Sequence, residues 1–264
     1  MSIIIKLLAL VELLLLLFSY LAPINLISLR NSSHQCKLLV SEADIDVLFS
    51  MSMAEGLVHW QLKLHNLKSL MESGNLFLSG SFLMHTLIRY FKNVGDIDLW
   101  SLTPDLKYSK TELFLCGYKF MEREEDETET FYPYRFQVDL FIRTFLLDDD
   151  IRTSPGYLMV RRNLSSVSPS IQVITMSSRE GPQDMVDGFD IDVVKFFISS
   201  DFKCPIYDIN TVSNYRKFYH LIKMQFYISS PHNDHYYQRQ FGVRINKYYA
   251  KGLTLCKCVR KNYM

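Results

Sequence analysis

A Gly-Ser pair, an apolar stretch of helical length and a strand-like segment carrying two carboxylates one residue apart follow one another in LSGSFLMHTLIRYFKNVGDIDLW, residues 78–100. This succession constrains the fold more than any other part of the chain. Gly80-Ser81 has the form of a strand-to-helix turn, and the stretch after it fits one helix of about four turns before the chain returns as a strand. Side chains alternate across a strand, so Asp96 and Asp98 share a face while Ile97, Leu99 and Trp100 are left for packing. Two carboxylates held within a few ångströms of each other repel unless they share a proton or a divalent cation. A hard-metal site is the first expectation.

A hydrophobic residue followed by Gly-Ser, then a hydrophobic-alternating Asp-x-Asp, resembles the signature of the nucleotidyltransferase superfamily, the fold of DNA polymerase β, the CCA-adding enzymes and the aminoglycoside nucleotidyltransferases. Leu78-Ser79-Gly80-Ser81 matches the first element and Asp96-Ile97-Asp98-Leu99 the second. Two later segments, Ser170 to Ile174 and the Phe-Asp start of Gly188 to Val194, resemble the paired strands of the divergent viral members. The ending from Arg244 to Gly252 is similar to theirs as well.

The resemblance implies an α/β (α+β) fold with a mixed sheet flanked by helices, and the apolar start of the chain adds an N-terminal hydrophobic helix before it. The nucleotidyltransferase-like domain is expected over residues 38–200 and a helical C-terminal portion over 201–264. The implied activity is magnesium-dependent (or manganese-dependent) transfer of a nucleoside monophosphate from a nucleoside triphosphate. The acceptor, whether RNA, protein or small molecule, is not specified. Asp96, Asp98 and Asp190 are the implied catalytic and metal-ligating acids, and all-oxygen ligation suits magnesium. Asp139 and Asp192 are rivals of Asp190: Val138-Asp139-Leu140 has the same hydrophobic-acid-hydrophobic pattern, and Asp192 shares a strand face with Asp190. Gly80 lets the backbone approach the triphosphate, Ser81 sits at the following helix N-terminus, and Arg244 and Lys247 are the implied phosphate contacts. The alternative function is a catalytically inactive protein of this fold serving as a membrane-tethered binding or scaffolding protein.

The chain has 264 residues, 48% of them hydrophobic and 14% aromatic, enough for a substantial core. A formal net charge of +1 excludes a polyanion binder by bulk charge and leaves room for a local basic patch. Residues 1–30 form an apolar segment, with Ile3 to Leu29 interrupted at Lys6, Glu12, Ser19, Pro23, Asn25 and Ser28. Its length suits an uncleaved single-pass anchor, with the domain facing the cytoplasm. A signal peptide and an apolar helix docked on the domain are the competing readings, and Glu12 favours the latter. Asn31-Ser32-Ser33 and Asn163-Leu164-Ser165 match the short glycosylation pattern. Five cysteines, Cys36, Cys116, Cys204, Cys256 and Cys258, lack Cys-x-x-Cys spacing, so neither a zinc site nor a complete disulfide framework follows.

Along the rest of the chain, Ser41 is expected to cap a helix that carries Ile45, Leu48, Phe49 and Met53, with a second helix from Val58 to Met71 broken at Gly74-Asn75. Met121 to Thr130 reads as an acidic loop and Asp148-Asp149-Asp150 as a charged turn. Phe136 to Ile142 reads as a strand. Val212 to Tyr227 and Asp234 to Lys251 read as helices, the latter stopped by Gly252. The basic residues Arg239, Arg244, Lys247 and Lys251 recur near helical spacing, which suits phosphate binding or a solvated helix surface.

Overall fold

The computed structural model describes residues 20–91, 94–101, 118–126, 136–143, 170–176, 181–187, 189, 191–207, 212–228 and 245–256, with 13 and 16 as isolated positions. The described chain runs α1 (Pro23–Ser32), α2 (His34–Leu39), α3 (Glu42–Leu57), α4 (Leu64–Ser73), β1 (Leu76–Ser79), α5 (Ser81–Ile88), β2 (Asp96–Ser101), β3 (Tyr118–Asp126), β4 (Phe136–Arg143) and β5 (Ser170–Met176). It continues through α6 (Pro182–Asp187), β6 (Phe197–Ile198), α7 (Val212–Ile222), β7 (Gln225–Phe226), helical residues 245–250 as α8, and β8 (Thr254–Leu255). This is a mixed α/β architecture. Six strands form one sheet in the order β3-β4-β5-β2-β1-β6, and β7 and β8 form a small parallel pair.

The central strands are held by their burial. Leu78, Ile97, Leu99, Ile171 and Val173 have no exposed surface, and β1 runs antiparallel to β2 while β5 runs parallel to it. Leu99 is in register with Leu78 on one side and Val173 on the other, so the apolar set forms a continuous row under the helices. Helices α1, α3 and α5 pack together, with Ile24, Leu26, Ile27, Ile45, Phe49, Met53, Phe82 and Leu83 in the shared core. Trp60 ties this layer to the sheet. Its ring meets Phe82 edge-on at 5.2 Å, its indole N–H donates to the Ser170 carbonyl at 3.0 Å, and its own carbonyl accepts from the Tyr118 hydroxyl at 2.6 Å.

Ser41 caps α3 as expected, and Asp44 closes a capping box by accepting from the Ser41 backbone N–H at 2.8 Å. Ser41→Ala is expected to cost about 1 kcal/mol in urea denaturation; an unchanged midpoint would show that Asp44 alone secures the helix start.

Several elements depart from the sequence reading. The helix expected from Val58 to Met71 is broken by a 3-10 turn at Val58–Trp60 and by Gln61 at φ 48°, because Trp60 turns into the core; helix resumes only at Leu64. Helix α5 ends after Ile88, short of four turns. Arg89 adopts a left-handed conformation there and is anchored through Nε to Glu55 at 2.7 Å and through a terminal nitrogen to the Leu21 carbonyl at 3.2 Å. The acidic run is a strand through Asp126, paired antiparallel with β4 around a bulge between Phe120 and Glu122. Cross-strand pairing overrides the charge density there. The segment read as a strand through Val194 is instead a 3-10 turn at Asp192–Val194, with a single bridge from Ile191 to Ile228.

At the N-terminus, the described residues of the apolar segment are Leu13 and Leu16, helical and exposed, and the chain from Tyr20 that enters α1. In α1, Ile24, Leu26 and Ile27 are buried in the hydrophobic core, so the apolar run from Pro23 onward packs on the domain. No helix among the described residues is long and apolar enough to cross a membrane. Positions 1–12, 14, 15 and 17–19, which hold most of the expected anchor, lie outside the described residues, as do Asn163, Asp148-Asp149-Asp150 and the greater part of the helix expected from Asp234.

Candidate functional site

The Gly-Ser turn and the acid pair meet where β1 hands over to α5. Ser79 pairs with Asp98 across the antiparallel β1–β2 ladder, and Gly80 follows at φ 85°, ψ −158°, a conformation essentially restricted to glycine. A Cβ on Gly80 would stand 2.3 Å from Asp98 Oδ2, so the missing side chain is what makes room for the carboxylate. Asp96 and Asp98 are both partly buried, whereas Ile97 and Leu99 between and beyond them have no exposure. The acids therefore share one face, as alternation requires.

The C-terminal helix α8 brings the counter-charges. Lys247 Nζ lies 3.2 Å from Asp96 Oδ2, and Lys251, just past the helix end, is 3% exposed. Burial by itself would raise the Asp96 carboxyl, but Lys247 and Lys251 outweigh it and the carboxyl is held below its ordinary value. Burial, with repulsion from Lys247, pushes the Lys251 ammonium down to about 8 against the pull of Asp96 and Asp98. His85 belongs to the same neighbourhood. Burial first, then the Lys251 charge, pushes it down to about 4, so it is neutral at pH 7. With Nδ1 facing the Tyr90 carbonyl, that nitrogen carries the proton and donates, which leaves Nε2 as an acceptor.

Ser81 Oγ, Asp96 Oδ1 and Lys251 Nζ are buried and close no hydrogen bond of good geometry, although Ser81 is near enough to Asp96 to help lower its carboxyl. A buried donor and acceptors left open around one point are costly, and such sets are commonly completed by an ion or ligand. The donor set fits a magnesium-triphosphate group. Carboxylate and hydroxyl oxygens suit a hard cation, and two ammonium groups with a helix N-terminus suit phosphate oxygens.

The third acid is a different matter. Asp190 and Arg244 lie outside the described residues. Asp192 is committed elsewhere: its Oδ1 accepts from the Tyr227 backbone N–H at 2.6 Å and its Oδ2 pairs with His220 Nδ1. Asp139 is in register with Val173, in the row of Leu99, one step away from the row of Asp98. The residue in register with Asp98 on the parallel neighbour strand is Gln172, which is partly buried like the acids beside it. No group of three or more His, Cys, Asp or Glu side chains fit to hold a metal ion occurs among the described residues.

Lys247, expected as a phosphate contact, is placed beside the Asp96 carboxylate. Gln172 was not singled out, and Lys251 was seen only as part of a basic helical face. Its spacing of four from Lys247 was the available signal; its burial was not.

No protein-family model matches this sequence, and no curated protein matches it.

Proposed function

We propose that the chain binds a nucleoside triphosphate together with a divalent cation between the Gly80-Ser81 turn, Asp96, Asp98, Lys247 and Lys251, and transfers the nucleoside monophosphate to an acceptor. The observation that carries this reading is the open polar set of Ser81 Oγ, Asp96 Oδ1 and Lys251 Nζ, buried beside a glycine whose Cβ would collide with Asp98. Asp96 and Asp98 hold the cation, which when bound neutralises the phosphates and activates an attacking hydroxyl. Ser81 and the first amides of α5 receive phosphate oxygens, and Lys247 and Lys251 balance the remaining charge. In the reaction the acceptor hydroxyl loses its proton to solvent as its oxygen bonds to the α-phosphorus, the α–β bridging bond breaks and pyrophosphate leaves. Tethering of the domain to a membrane through the apolar residues before α1, on its cytoplasmic side, belongs to the same proposal; release of the full-length chain by carbonate washing would remove it.

A second reading is binding without transfer, and Gln172 favours it. An amide in register with Asp98 is a weak metal ligand and no general base, so a site completed by Gln172 holds a nucleotide-bound cation without a second activating carboxylate. Calorimetry with each nucleoside triphosphate and magnesium, run beside a labelled-nucleotide transfer assay, separates the two. Transfer that falls further in Asp190→Ala than in Asp139→Ala supports the enzyme. Metal-dependent binding with no transfer supports the silent binder, and no metal-dependent binding overturns both.

The Lys251 ammonium adds a pH signature. Bound phosphate raises its pKa above the value of about 8 in the free protein, so its contribution to affinity is complete below that pH, declines above it and is lost as pH passes the raised value of the bound state. Triphosphate affinity is expected to fall about tenfold between pH 7 and pH 9. Lys251→Met should be weaker at pH 7 and flat across that range; a wild-type protein with no pH dependence would place Lys251 outside the phosphate site.

A further inference from the structure

We propose that the exposed face of α7 binds single-stranded nucleic acid. This inference stands on the surface itself and goes beyond the nucleotide site.

The near-zero net charge of the whole chain conceals a strong asymmetry. Residues 209–264 contain ten Lys and Arg and one acid, Asp234, so a segment of charge +9 sits in a chain of net charge +1. The same segment holds eight of the 16 tyrosines. Basic residues interleaved with aromatics are the composition of a single-strand platform, in which cations follow the phosphates and rings stack on bases.

Among the described residues of this segment, Arg216, Lys223 and Lys247 and Tyr215, Tyr219 and Tyr249 are exposed, whereas Lys217 and Lys251 are buried. Tyr215 and Tyr219 lie one helical turn apart on α7, 55% and 44% exposed, with their rings stacked at 6.4 Å and 22°. Lys223 extends the row, its ammonium 5.9 Å from the Tyr219 ring centre, and the Arg216 guanidinium lies 5.9 Å from that of Tyr227. Tyr249 of α8 is also exposed, at 46%.

The inner side of α7 is occupied by Phe218 and Leu221, which are buried, so the tyrosines are not a misplaced core stripe. Duplex nucleic acid presents phosphate but hides its base faces. Unpaired bases use both halves of this surface.

The test is fluorescence anisotropy with labelled oligo-U and oligo-dT of about 15 nucleotides, beside a duplex of equal length and anionic phosphatidylserine vesicles. The expected result is salt-sensitive binding of the single strands in preference to the duplex. Tyr215→Ala/Tyr219→Ala should weaken it about tenfold or more, and Lys223→Gln should weaken it and lower the salt slope by about one. Because the substituted side chains are exposed, the melting temperature should stay near wild type, and the triphosphate affinity measured by calorimetry should be retained. Equal affinity for duplex and single strand, tighter binding to the vesicles, or a double variant that binds like wild type would overturn the proposal.

Discussion

Asp98→Asn is expected to reduce magnesium-dependent triphosphate affinity by at least about 100-fold while the domain stays folded. The amide has nearly the shape of the carboxylate, so it can occupy the space that Gly80 leaves open, but it removes half of the charge that would hold a cation. A second readout follows from the same geometry. Asp98 helps to raise the Lys251 ammonium, so its neutralisation should move that group further below about 8. A titration of Lys251 by NMR would record the shift even in a protein that binds no nucleotide. Retained metal-dependent affinity would exclude Asp98 as a ligand, and an unmoved Lys251 would show that the two groups do not share a field.

Gly80→Ala is expected to destabilise the protein by about 2–4 kcal/mol and to disable the site with it. Two costs combine. The backbone at φ 85°, ψ −158° strains any L-residue by about 1–3 kcal/mol, and the new methyl would enter the space held by Asp98 Oδ2. The double variant Gly80→Ala/Asp98→Ala separates them. Removing the carboxylate should recover the steric share and leave the backbone share, giving a non-additive cycle in urea denaturation. Strict additivity would show that the close approach of Gly80 to Asp98 carries no energy of its own.

The parts of this protein that were legible in the sequence are those governed by short-range geometry. Strand alternation put Asp96 and Asp98 on one face, and Ser41 with Asp44 announced a capped helix. Each depends on residues within a few positions of one another. The errors fall where distant chain segments compete with local preference. Helix α5 was read too long because Arg89 stops it through Glu55 and Leu21, 34 and 68 residues away in the sequence. The acidic run was read as a loop because its charges were visible and its pairing with β4 was not. Asp192 was indistinguishable from a metal ligand until His220 and the Tyr227 amide were seen to hold both of its oxygens.

The sequence by itself determined the pair of acids, the turn beside them and the apolar rows that make a layered α/β core, because periodicity and steric exclusion act along the chain. Only the tertiary structure decided what surrounds that pair. Register, which depends on how strands from residues 96 and 170 are laid side by side, set Gln172 against Asp98. Burial, which depends on the whole packed domain, turned Lys251 from one more surface cation into an ammonium enclosed beside Asp96, with its proton loosened to about 8. Charge on a side chain is written in its residue type; the field that it feels is made by segments that meet only when the chain has folded.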